Sequence, residues 1–200
     1  MTKITREDYL YKAMIMLNER VFTPSGFPID IKKTNVSCSL VSGGSASQKK
    51  RLGQCWARSA STGGNSEIQI STTVDDSFIA VDTLAHELVH AVDNCQSGHG
   101  KGFRNIALAI GLNGSTKMTQ ACAGEELTVD INAIIEELGE YPHQAMNFNG
   151  RKKQTTRNKK IYCRSCGWSF RASQSNIDKM LEHDHAPNCL ACDGGTLEAI

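Results

Sequence analysis

His86-Glu87-Leu88-Val89-His90 is the stretch that decides how this chain is read. On a helix, positions i and i+4 lie on one face about one turn apart. The two imidazoles can therefore hold one metal ion, and Glu87 can reach a water on it. The flanks predict that helix. Asp75 and Asp76 are N-cap candidates, and Phe78, Ile79, Val81, Leu84, Ala85, Leu88, Val89 and Val92 follow without a Gly or Pro. H-E-x-x-H is the arrangement used by zinc peptidases.

Two histidines do not complete such a site, because a catalytic zinc takes three protein ligands and leaves a position for water. The metzincin spacing would need a glycine at 93 and a histidine at 96, where this chain has Asp93 and Gln96. His99, between Gly98 and Gly100, is the nearest candidate. Its flanking glycines let the backbone double back and present the ring. Glu125 or Glu126 from a downstream helix is the alternative. Asp93, one turn after His90, is either a carboxylate that orients an imidazole or a solvated helix-end group. Tyr141 and His143 are candidates for an oxyanion or proton donor, with nothing in the sequence to place them near the metal.

Around this helix the pattern is that of a small α+β domain. Thr5 with Asp8 resembles a capping box, and Tyr9, Leu10, Ala13, Met14, Leu17 and Val21 recur at helical spacing, predicting a helix over 6–20. Strands are expected over 36–41, 54–59 and 67–71. Helices are expected over 101–110, ending at Gly111, and over 125–138. The strand 67–71 before the metal helix is a candidate edge for holding an extended peptide, and an ordinary internal strand fits it equally well.

Cys163-Arg164-Ser165-Cys166 and Cys189-Leu190-Ala191-Cys192 form two C-x₂-C pairs, the pattern of a four-cysteine zinc ribbon. Four thiolates close the tetrahedron and leave no place for water, so this zinc is structural. His183 and His185 are weaker substitutes for a cysteine ligand. The other cysteines, Cys38, Cys55, Cys95 and Cys122, read as free buried thiols, with Cys95 a remote candidate for a stray ligand.

The net charge of +1 conceals an asymmetry. Glu125, Glu126, Asp130, Glu136, Glu137 and Glu140 fall in a stretch without Lys or Arg, and Arg151, Lys152, Lys153, Arg157, Lys159 and Lys160 follow without an acid. That switch, after Asn147, Asn149 and Gly150, marks a boundary. The expected organisation is a metal-binding domain at 1–148, a basic linker at 149–160 and a zinc ribbon at 161–200. The polar start and the lack of a long apolar run predict no signal peptide and no membrane span, hence a cytoplasmic protein with reduced cysteines.

With these pieces assembled, the chain resembles the SprT-like metallopeptidase family, which includes Spartan, a protease of DNA–protein crosslinks. The matching residues are His86-Glu87-Leu88-Val89-His90, then Gly98-His99-Gly100 with Phe103, and the C-terminal ribbon. Leu52-Gly53-Gln54-Cys55-Trp56 and Glu67-Ile68-Gln69-Ile70-Ser71 resemble phage and bacterial members. The resemblance spans roughly residues 50 to 195. It implies a zincin-like domain of one helix, a three-stranded sheet and metal-binding helices. It also implies His86, His90 and His99 as ligands of a catalytic Zn2+, with Glu87 as catalytic base. The short interval from His90 to His99 requires a compact turn.

The expected function is a zinc metalloendopeptidase acting on DNA-associated proteins, with a protein substrate and DNA, single strands favoured, as partners. The basic segment reads equally as a nucleic-acid tether or a solvated linker. Tyr162, Trp168 and Phe170 are candidates for stacking on bases or for packing around the zinc knuckle. The rival reading is a non-proteolytic DNA-binding accessory protein on a zincin scaffold, against which the presence of Glu87 argues. A zinc-ribbon transcription factor is a third.

Overall fold

The first helix, α1 (Arg6–Leu17), starts at a capping box: Thr5 Oγ1 accepts from the Asp8 N–H at 3.0 Å, and Asp8 Oδ2 accepts from the Thr5 N–H at 3.3 Å. In this computed structural model the described residues are 4–42, 51–115, 118–147, 158–182 and 188–199. The chain divides into two compact units, Met1–Phe148 and Asn149–Ile200.

In the first unit α1 buries Tyr9, Leu10, Ala13, Met14 and Leu17, the stripe its periodicity predicts, and runs into a π-helical turn at Asn18–Phe22. Three strands follow: β1 (Thr34–Ser39), β2 (Gly53–Trp56) and β3 (Ser66–Ser71). They form one sheet in the order β1-β3-β2, with β1 parallel and β2 antiparallel to β3. The strand 67–71, a candidate substrate edge from sequence, is thus the central strand. Among the described residues the edge strands of this sheet are β1 and β2.

The metal-motif helix α2 (Ser77–Val92) begins where Asp76 Oδ1 accepts from the Ile79 N–H at 2.8 Å. It lies against β2 and β3 and packs on α1, α3 (Lys101–Ala109) and α4 (Glu125–Leu138). Ala80, Val81, Leu84, Ala85, Leu88 and Val89 are buried in the common core with Ile68 and Ile70 of β3 and Leu127, Ile131 and Ile134 of α4. Leu84 and Leu88 therefore anchor the helix in the core while His86 and His90, on another face, look out. A short antiparallel pair, β4 (Leu112–Asn113) with β5 (Cys122–Ala123), bridges α3 and α4.

The second unit is a three-stranded antiparallel sheet, β6 (Lys159–Cys163), β7 (Ser169–Ala172) and β8 (Leu197–Ala199), in the order β7-β6-β8. Helix α5 (Gln174–Leu181), capped by Ser173, follows β7. Lys159 and Lys160 are the first residues of β6, two positions upstream of the expected start of the ribbon. Arg151, Lys152, Lys153 and Arg157 of the basic segment, and His183 and His185, lie outside the described residues. The architecture is mixed α+β. Among the described residues no helix is long and apolar enough to cross a membrane.

Candidate metal centres

The turn after α2 is what brings His99 back to the helix. Asp93 ends the helix and folds the turn: its Oδ2 accepts from the Ser97 N–H at 2.7 Å, and its Oδ1 from the Ser97 hydroxyl at 2.9 Å. Asp93 is thus a partly exposed helix-end carboxylate that also shapes the segment delivering the third histidine. His99 Nε2 then stands 3.2 Å from His86 Nε2 and 3.2 Å from His90 Nε2. Ligands 2.0–2.1 Å from a tetrahedral zinc are separated by about 3.3 Å, so these distances are those of one shared ion.

The ring chemistry agrees. The His86 Nδ1–H donates to the Ala121 carbonyl at 3.2 Å, which leaves Nε2 with its lone pair free for a metal. In that tautomer Nε2 is an acceptor, so its 3.2 Å approach to His99 Nε2 fits either a shared cation or an N–H donated by His99. Burial lowers the His86 pKa to about 4. Burial, then the neighbouring His86 and His99, lower His90 to about 3, and burial lowers His99 too. All three are held neutral, the form that ligates. Phe103 of α3 packs against all of them, its ring centroid 5.0, 4.4 and 4.9 Å from those of His86, His90 and His99.

Glu87 lines the same cleft, of about 890 Å³, with only 7% of its surface exposed. Burial, and then the nearby Cys95, push its carboxyl up to about 8. Gly53 of β2 passes directly over it. A Cβ there would stand 2.8 Å from both Glu87 Cγ and Oε1 and 2.7 Å from Thr83 Cγ2. Asp82, one turn before His86, also faces the cleft; its Oδ1 accepts from the Ala123 N–H at 2.8 Å and so fixes the strand next to the Ala121 carbonyl.

Glu125 and Glu126, the alternative ligands, sit exposed in the first turn of α4 and outside the histidine group. Tyr141 is buried against Tyr9, with ring centroids 5.3 Å apart. His143 Nε2 donates to the Thr72 carbonyl at 3.0 Å. Neither lines the cleft. Sequence reasoning missed Gly53, Asp82 and the Ala121 carbonyl. Asp82 carried a signal, since it precedes His86 by four positions on the same helix, and a glycine opening a strand marks close backbone approach. The carbonyl, being main chain, carried none.

In the second unit Cys163, Cys166, Cys189 and Cys192 gather their sulfurs within 4.8 Å of one another. Cys163 and Cys192 Sγ are 3.7 Å apart, Cys166 and Cys189 Sγ 3.6 Å. The edge of a tetrahedron of thiolates at 2.3 Å is about 3.8 Å. The N–H groups of Cys166 and Ser165 pull Cys163 down to about 6, while the Cys166 thiol beside it pushes Cys192 up to about 12, so the four sulfurs share their protons unequally. Gly195 closes the second knuckle, where a Cβ would run into Cys163 and Cys192 Sγ. Trp168 and Phe170 pack against the small core of Ile161, Ala172, Ile177 and Leu197. Of the other cysteines Cys38 is buried, Cys55 and Cys95 are partly exposed and Cys122 is exposed, so the expectation of four buried thiols is met by Cys38 alone.

Both groups can hold metal ions, one open to a cleft and one closed by four sulfurs. No family model, curated protein or solved structure matches the chain.

Proposed function

We propose that the chain is a zinc-dependent metalloendopeptidase of the SprT-like type, with a zincin-like domain and a structural zinc in its ribbon, acting on DNA-associated proteins in the cytoplasm. The observation that carries this reading is the set of three imidazoles, His86, His90 and His99, converging on one point beside the buried Glu87 in an open cleft. Three nitrogens with a free fourth position are the donor set of a catalytic zinc, and four sulfurs that of a structural one. His86, His90 and His99 would hold a zinc ion, and it would supply Lewis acidity there to acidify water and polarise a scissile carbonyl.

The chain's own residues do the rest. With a cation bound beside it Glu87 would ionise despite its burial, and its carboxylate would take the proton of the attacking water and pass it to the leaving amine nitrogen. The Ala121 carbonyl and Phe103 fix the imidazoles. The substrate lies extended along the outer edge of β2, where main-chain hydrogen bonds give affinity without reading side chains. The DNA part of the proposal rests on the family resemblance and on the run from Arg151 to Lys160.

Glu87→Gln is the test. The amide keeps the shape of the side chain but cannot accept the proton, so cleavage of a DNA-bound protein should fall by about 10²–10⁴-fold. Zinc content, measured by elemental analysis, should stay at two per chain. Cleavage at the wild-type rate would reject the assignment of Glu87, and absence of cleavage by the wild type, with or without DNA, would favour the non-proteolytic alternative.

A further inference from the structure

Cys55 and Cys95 belong to neither metal group, yet they face one another in the wall of the same cleft. Cys55 lies in β2, and Cys95 in the turn between α2 and His99. Their Sγ atoms are 3.6 Å apart, and the Cys95 thiol also points at the Cys55 carbonyl, 3.7 Å away. The backbone goes to some length to hold Cys95 there. Asn94 and Cys95 have φ of +50° and +55°, a left-handed conformation that side chains disfavour. Both are tied down: Asn94 Oδ1 accepts from the Arg58 N–H at 3.0 Å, and the Cys95 N–H donates to the His90 carbonyl at 2.8 Å.

Two thiols held this way can take a soft metal or join to each other. A metal site would want further ligands. Among the described residues the groups of three or more that could hold an ion are the two already described, and neither includes this pair. A disulfide needs no third group, only closure of the sulfurs from 3.6 Å to about 2.0 Å. We propose that Cys55 and Cys95 form a reversible intramolecular disulfide that ties the edge strand β2 to the turn delivering His99.

The oxidant is a small disulfide such as oxidised glutathione. The Cys95 thiolate attacks one of its sulfurs, the S–S bond breaks, and one glutathione thiolate leaves. The Cys55 thiol gives up its proton to solvent, attacks the Cys95 sulfur of the mixed disulfide and expels the second glutathione. Two protein thiols lose two electrons in total, and the external disulfide gains them as two thiols. The bond closes a loop containing β3 and α2, and it holds the near approach of β2 to Glu87 and the turn of His99 together. Its effect on the metal rests on the histidine-site reading above; its formation does not.

The experiment uses the full-length, metal-loaded protein, equilibrated with oxidised or reduced glutathione, alkylated, digested and mapped by mass. A linked Cys55–Cys95 peptide should be found after oxidation and vanish with dithiothreitol, with Cys38 and Cys122 alkylated throughout. Cys55→Ser should instead leave a glutathione adduct on Cys95. Free alkylation of both cysteines after oxidation, or pairing of either with Cys122, would overturn the proposal. In the same samples a chelator should strip the histidine-site metal several-fold more slowly from the oxidised protein, and equal rates would overturn the tie to the His99 turn. A reduced wild type that binds metal only in its ribbon would sink the histidine-site reading alone, since the mapped disulfide is read without it.

Discussion

Gly53 matters for what it lacks. Its Cα sits where any side chain would strike Glu87 and Thr83, so the first residue of β2 lets the strand close over the carboxylate and keep water from surrounding it. Gly53→Ala should force either the strand or the carboxylate to move. Overpacking of this kind costs about 1–3 kcal/mol, which would be seen as a lower denaturant midpoint at unchanged slope. The proposed peptidase activity should fall while the histidine-site metal remains, because Phe103 packs on all three imidazoles and the Ala121 carbonyl holds His86, neither contact involving Gly53. Loss of that metal in the variant would show that Gly53 supports the ligands and not the base.

At the scale of elements, β5 acts through α2. Asp82 anchors the Ala123 N–H, and the residue two before it offers the carbonyl that fixes the His86 tautomer. Asp82→Ala should release this strand and weaken histidine-site affinity by about 10-fold, the scale on which outer partners of ligands act. Competition with a chromophoric chelator measures it; unchanged affinity would mean the carbonyl stays in place without the anchor. The sequence made α2 and α4 readable because each repeats its apolar stripe over several turns, and α2 also opens at a clear cap, Asp76. The three strands were legible in place but not in extent: β1 starts two residues earlier than its alternation predicts, and β2 ends at Trp56, where the expected strand ran to 59, because Arg58–Ala60 turn into a 3-10 helix. Two-residue strands such as β4 and β5 are too short to show any period, so the carbonyl they place was invisible. Which strand lies at the edge depends on pairing between distant segments, and local alternation in β3 could not say that β2 lies outside it.

The two units carry separate cores and separate metal groups, so their responses to metal loss should separate as well. The ribbon buries few apolar side chains, and a structural zinc in such a module contributes on the order of 10 kcal/mol or more to folding. Cys163→Ser should unfold residues of the second unit while the histidine-site metal and the first unit's thermal transition persist. A mild chelator should likewise empty the open site first. Comparable loss of both metals from Cys163→Ser would mean the units are not independent.

The charge distribution argues for what the second unit does. A chain of net charge +1 that gathers Arg151, Lys152, Lys153, Arg157, Lys159 and Lys160 in ten positions concentrates its positive potential at the entry to the ribbon. The rings are less available for bases than the sequence allows: Trp168 and Phe170 lean on the ribbon core, and the Tyr162 hydroxyl donates to Glu198 Oε2 at 3.4 Å. If the segment is a tether, phosphate contacts should dominate, and each displaces counterions from the strand. Changing Lys152, Lys153, Lys159 and Lys160 to Ala should therefore weaken single-stranded DNA binding and flatten its dependence on salt. Four lost contacts at about 0.7 each reduce the slope of log affinity against log salt by up to about 3. Fluorescence anisotropy across a range of salt concentrations reads both quantities. An unchanged slope would make the segment a solvated linker, and the DNA half of the proposed function would have to be given up.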